Sequence, residues 1–145
     1  MYPILLVTHL LAAIAFIGTL FFDVVIWHHA RQQLPEAPQS TADQAIAVRS
    51  RKVLHGVVLL LYGAGISLAW QYRGALSQPL ASIFGTMLSL KILLALSIIG
   101  HYLLLAYWLK SSRLTTTRAS WIRRSILGHM VLIVILAKAM FYWHG

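Results

Sequence analysis

The sequence predicts an all-α integral membrane protein, a four-helix bundle with both termini facing outward, and three observations predict it. The 145 residues are 59% hydrophobic and only 10% charged, far from the balance of a soluble domain. The apolar residues fall into four runs, about 4–27, 53–70, 83–109 and 125–143, each near the ~20 residues that cross a bilayer core as a helix. Backbone polar groups in lipid must bond within their own segment, so four such runs read as four packed helices in one domain, 1–145. The basic residues supply the third observation. Arg31, Arg49, Arg51 and Lys52 lie between the first and second runs, and Lys110, Arg113, Arg118, Arg123 and Arg124 between the third and fourth, while the turn between the second and third holds only Arg73. Positive residues stay on the cytoplasmic side. Both termini are therefore expected outside, in the periplasm of a bacterial cell, with the chain a multi-pass protein of the inner membrane.

The first run has no basic residue before it and extends over about 24 residues, longer than the ~7–15 of a signal-peptide core, so it reads as a retained helix. The next connection, HHARQQLPEAPQSTADQAIAVRSRK, holds Pro35 and Pro38 and every acid except Asp23. Within it STADQ resembles a capping box, with Ser40 as N-cap and Asp43 at the third helical position. The second helix is expected to begin near Thr41. Gly74 and Pro79 break the short outer turn YRGALSQPLAS, and SSRLTTTRAS forms a polar, basic inner turn. Tyr2, Trp27, Trp70, Tyr72, Trp108, Trp121 and Trp143 fall near the membrane interfaces, where aromatic belts form. No internal repeat and no low-complexity tract is read from the chain. The net charge of +9 sits beside membrane segments, which points to anionic lipid headgroups rather than nucleic acid.

The absence of cysteine excludes disulfides, thiolate metal sites and iron–sulfur clusters. Ionisable groups inside spans are costly, about 2.5–3.5 kcal/mol at mid-helix on insertion scales, so they face an interior and mark sites. A rise of 1.5 Å per residue places His9 about 8 Å and Lys91 about 12 Å below the outer ends of the first and third helices, in one layer. By the same rise His55 lies about 3 Å and His129 about 6 Å from the inner ends of the second and fourth, with His101 near that level. Gly56, Gly100 and Gly128 stand next to these three histidines, and glycine lets a bulky group approach a helix. Such layers suit a flat, apolar macrocycle ligated through its iron. His9 and Lys91 are the candidates for an outer site, and His55 with His129 for an inner bis-histidine site, with His101 competing. A lysine ligand must be neutral, the form that burial favours. Lys138 reads as a snorkelling residue, and His28, His29 and His144 as interfacial. Met130 beside His129, and Met140 four residues before His144, leave copper as the alternative cofactor. Interhelical hydrogen bonding is the bland reading of the same histidines.

The stretch HLLAAIAFIGTLFF, with His9 followed nine positions later by Gly18, and the stretch SLKILLALSIIGHY, with Lys91 and His101, are similar to the first and third helices of the copper-resistance protein D family and the related HemJ-type protoporphyrinogen oxidases. The resemblance covers nearly the whole four-helix layout and rests on short apolar motifs. It implies a haem-binding or copper-related membrane protein in which His9 and Lys91 match the functional pair of HemJ-type members. Phe16 stands where that superfamily commonly has tryptophan, the last helix has Gly128 and His129 in the region of an acidic residue, and Tyr62 to Gly65 replace a proline–glycine feature. The expected function is that of a b-type haem protein, a membrane oxidoreductase moving electrons between a donor and quinone or a porphyrin-like molecule. Copper handling is the alternative, and self-association is left open.

Overall fold

The structure, a computed structural model, describes residues 1–142, so Trp143 and His144 lie outside the described residues. Helices make up the regular structure, with no strand among the described residues. Four helices are long and apolar enough to cross a membrane. The chain divides into two compact units, Met1–Gln71 and a second beginning at Tyr72. Each is a helical hairpin.

In the first hairpin, α1 (Tyr2–Phe21) starts with Pro3 in its first turn, where a missing N–H costs nothing. The helix runs on through a π-helical segment, Phe22–Trp27, a short α2, His28–Ala30, and a 3-10 turn, Arg31–Gln33. Leu34 is extended and Pro35 follows, which ends it. The next helix, α3, spans Glu36–Gln71 and begins five residues before the expected Thr41. Ser40 is not its cap: the hydroxyls of Ser40 and Thr41 both donate to the carbonyl of Ala37, one turn back within the helix. Pro38 falls in the first turn, where proline is tolerated. Asp43 is instead drawn to the facing helix. Its carboxylate accepts a hydrogen bond from Trp27 Nε1 at 2.7 Å and pairs with Arg31 at 3.0 Å. At 36 residues α3 is about 54 Å long, against a hydrocarbon core of ~30 Å. This Trp27–Asp43–Arg31 tie fastens the end of the hairpin where the helices outrun the apolar run. Ala12, Phe16 and Leu20 recur every fourth residue on α1 and are buried with Leu61 and Ala64 of α3.

The second hairpin opens with α4, Arg73–Ser77, and continues into α5, Ile83–Lys110. Ser82 caps α5, its hydroxyl accepting from the Gly85 N–H at 3.0 Å. Gly85 is bare for a reason, since a Cβ there would meet the carbonyl oxygens of Ala75 at 3.0 Å and Pro79 at 3.3 Å. α5 closes in a Schellman motif: Arg113 N–H donates to Trp108 O, Ser112 N–H to Leu109 O, and Ser112 takes φ 55°. α6, Thr116–Tyr142, starts nine residues before the apolar run. Arg118, Arg123 and Arg124 continue the helix beyond its lipid-compatible part. Hydropathy marks the segment that lipid accepts, not the segment that hydrogen-bonds as a helix. Leu88 and Ile98 of α5 are buried with Ile122, Ile126, Met130 and Met140 of α6, and Phe84 meets Tyr72 in a tilted contact at 5.4 Å and Phe141 edge-on at 6.2 Å between ring centres.

Candidate functional site

The first hairpin holds one membrane-embedded imidazole at its helix seam. His9, on α1, bonds through Nδ1 to the main-chain carbonyl of Leu61 on α3 at 2.9 Å. A carbonyl only accepts, so Nδ1 carries the hydrogen and Nε2 is the basic nitrogen. A helix carbonyl has a second lone pair and can take this bond beside its own ladder bond. The ring lies against Gly65: a Cβ there would meet His9 Cε1 at 3.0 Å and Nδ1 at 3.3 Å. The bare backbone of Gly65 and the carbonyl of Leu61, one turn apart on α3, together form the seat of the imidazole.

Among the described residues the second hairpin holds two imidazoles, and they meet. His101 on α5 and His129 on α6 have ring centres 5.0 Å apart at an interplanar angle of 65°. His101 Nδ1 donates to the carbonyl of Ser97, four residues back on its own helix, at 2.7 Å, and His129 Nδ1 does the same to Ser125 at 2.7 Å. Across the seam, His101 Nε2 bonds the hydroxyl of Ser125 at 2.8 Å and His129 Nε2 bonds the hydroxyl of Ser97 at 3.2 Å. With Nδ1 protonated on both rings, each neutral Nε2 accepts and each serine donates. Four hydrogen bonds thus close a cycle that passes through two residues on each helix. Trp121 stacks on His101 at 5.9 Å.

The cycle follows from a five-residue pattern that occurs twice, SIIGH at 97–101 and SILGH at 125–129. Placed on antiparallel helices, the two copies put Ser97 opposite His129 and His101 opposite Ser125. The reading that the chain has no repeat is corrected here at the scale of one helical turn. The signal was visible, but it is far shorter than a repeat that builds an architecture.

No family model matches the chain, and no curated protein or solved structure matches it. Its functional reading therefore stands on its own residues.

Other expected residues are placed differently. His55 lies on the exposed side of α3 and has no hydrogen-bond partner among the described residues. Lys91 is half-buried on α5 and makes no ion pair among the described residues. The three carboxylates of the chain, Asp23, Glu36 and Asp43, all belong to the first hairpin. Lys138 is exposed. A Cβ at Gly56, Gly100 or Gly128 meets nothing within 4 Å in its own hairpin. The helix surface at these three glycines is open, the condition under which a bulky group can approach. Gly65, remote in sequence from His9, is the glycine that receives an imidazole. No group of three or more metal-ligating His, Cys, Asp or Glu side chains occurs among the described residues.

These positions test which residues suit a haem. Metal–imidazole bonds of ~2 Å put two rings on opposite faces of one iron about 6 Å apart, centre to centre, with the porphyrin between them. His101 and His129 stand closer than that, and serine hydroxyls from the opposite helix occupy both Nε2 atoms. As arranged, this pair does not serve as two axial ligands of one haem. His9 does fit the chemistry of an axial ligand. Ligating histidines characteristically give their other N–H to a carbonyl, which fixes the ring and strengthens its donor nitrogen.

Proposed function

We propose that this chain is a b-type haem protein of the inner membrane, its termini outward, carrying electrons between a donor and a quinone-like acceptor. The observation that carries the reading is the seat of His9, an imidazole held inside a membrane-spanning hairpin with Nδ1–H bonded to a carbonyl and Nε2 as its basic nitrogen. Bound haem would supply one-electron chemistry that the side chains lack. The residues would bind and orient it. His9 would hold the iron through Nε2, the carbonyl of Leu61 fixes the ring with its hydrogen on Nδ1, and the apolar helix faces would keep water from the group. In the second hairpin, taken by itself, Lys91 is an amine within a span in a unit with no carboxylate side chain, a group that would suit an anion or, neutral, serve as a ligand. His55 contributes an imidazole whose nitrogens are not engaged within the described residues.

The test is the absorption spectrum of protein purified from haem-supplemented cells, with pyridine haemochrome quantitation. A Soret band with b-type haem, lost in His9→Ala while helicity is retained, is the expected result. A wild-type protein with no Soret band ends the haem reading, and stoichiometric copper in its place moves the assignment to copper handling.

A further inference from the structure

The seat of His9 has two parts, and the haem reading above explains only one of them. A carboxylate, carbonyl or water that accepts the second ring N–H is usual for ligating histidines; a glycine pressed against the ring is not. α3 carries Gly56, Gly63 and Gly65 within its membrane run. At Gly56 and Gly63 a Cβ would meet nothing within 4 Å in the hairpin, whereas at Gly65 it would touch His9 at Nδ1, the donor of the carbonyl bond, and at Cε1 beside it. Contacts of 3.0 and 3.3 Å are shorter than ordinary carbon van der Waals separations of ~3.5–4.0 Å. A methyl group at this place therefore moves the imidazole or lengthens its bond to Leu61 O.

We propose that Gly65 is the positioning residue for His9: its bare backbone admits the ring to the carbonyl of Leu61 and so sets the tautomer and donor strength of the coordinating nitrogen. Resting on the haem assignment, this inference names the residue that tunes the ligand. An Nδ1–H bond to a carbonyl makes Nε2 a stronger donor and favours ferric iron. Weakening that bond favours ferrous iron, so the midpoint potential moves in the positive direction.

Gly65→Ala and Gly63→Ala form a matched pair. Both exchange glycine for alanine two residues apart on one helix and raise helix propensity equally, but only the first crowds His9. Redox titration of the haem-loaded proteins is expected to leave Gly63→Ala at the wild-type midpoint. Gly65→Ala is expected to shift positive by about tenfold in the ratio of ferric to ferrous binding, ~59 mV for one electron, with haem stoichiometry retained. Equal midpoints in the two variants overturn the inference and leave the haem assignment standing. A wild-type protein without haem overturns the assignment, and nitrogen-15 NMR of histidine-labelled protein then judges the seat alone. Nδ1–H at His9 that persists in Gly63→Ala and is lost or exchange-broadened in Gly65→Ala supports it; an unchanged His9 in both refutes it.

Discussion

The two hairpins solve one problem, how to hold polar side chains where water is scarce, by different chemistry. The first uses charge at its end and one imidazole at its helix seam. Asp43 of α3 binds Trp27 and Arg31 where the hairpin outruns the apolar region, and His9 bonds a main-chain carbonyl. The second contains no carboxylate and ties its helices through neutral groups, in the cycle of Ser97, His101, Ser125 and His129. The contrast follows depth. A salt bridge whose side chains remain about 30% exposed keeps its ions partly hydrated, whereas the same pair inside lipid would bear the full desolvation penalty. Neutral donors and acceptors matched one to one avoid that penalty, and they specify register, since a shift of one residue breaks all the cross-seam bonds at once.

The strongest way to break the contrast is to remove one imidazole from the cycle. His101→Leu deletes a cross-seam bond and leaves the Ser125 hydroxyl to find another acceptor. The loss is expected at about 2 kcal/mol, from interhelical bonds in membranes worth ~0.6–2 kcal/mol each and the cost of an unmatched partner. Denaturant titration of the protein in micelles reads it. Adding Ser125→Ala should recover part of that loss, because removing both partners leaves nothing unsatisfied. Additive losses in the double variant would show that the cycle is not a coupled unit.

A smaller effect belongs to the first hairpin. Asp43→Ala removes the acceptor of Trp27 and the partner of Arg31 together, and the expected destabilisation is about 1 kcal/mol, held down by solvent screening of the exposed pair. Raised salt should shrink the difference between wild type and variant here and leave that of His101→Leu unchanged, a direct comparison of ionic and neutral fastening. The smallest effect is a gain. Ser112 adopts φ 55° at the end of α5, a conformation that glycine takes without steric cost, so Ser112→Gly is expected to stabilise the second hairpin by about 0.5–1 kcal/mol.

The spans were legible in the sequence because the hydrophobic requirement of a bilayer is written residue by residue. The helix boundaries were less so. Asp43 has the spacing of the acidic partner in a capping box behind Ser40, and only the presence of Trp27 and Arg31 on the facing helix gives its carboxylate a better use. Thr116 to Ser120 read as part of an inner turn because they are polar, yet polarity does not prevent a helix. At the site, His9, His101 and His129 were recognised as costly residues that need partners, and all three have them. Their partners were not recognised. Gly65, which receives His9, lies far from it in the chain, and contact across a seam depends on helix face and on the register of the opposite helix.

By itself the sequence determined that this protein is helical, that four of its segments suit a membrane, and which ionisable residues would have to be satisfied there. Those are sums over local composition, and lipid enforces them segment by segment. Only the tertiary structure decided that Gly65 receives His9, that Asp43 binds Trp27 and Arg31, and that two copies of one short pattern close a cycle. A hydrogen bond between helices depends on the relative rotation and register of both, which no single segment contains.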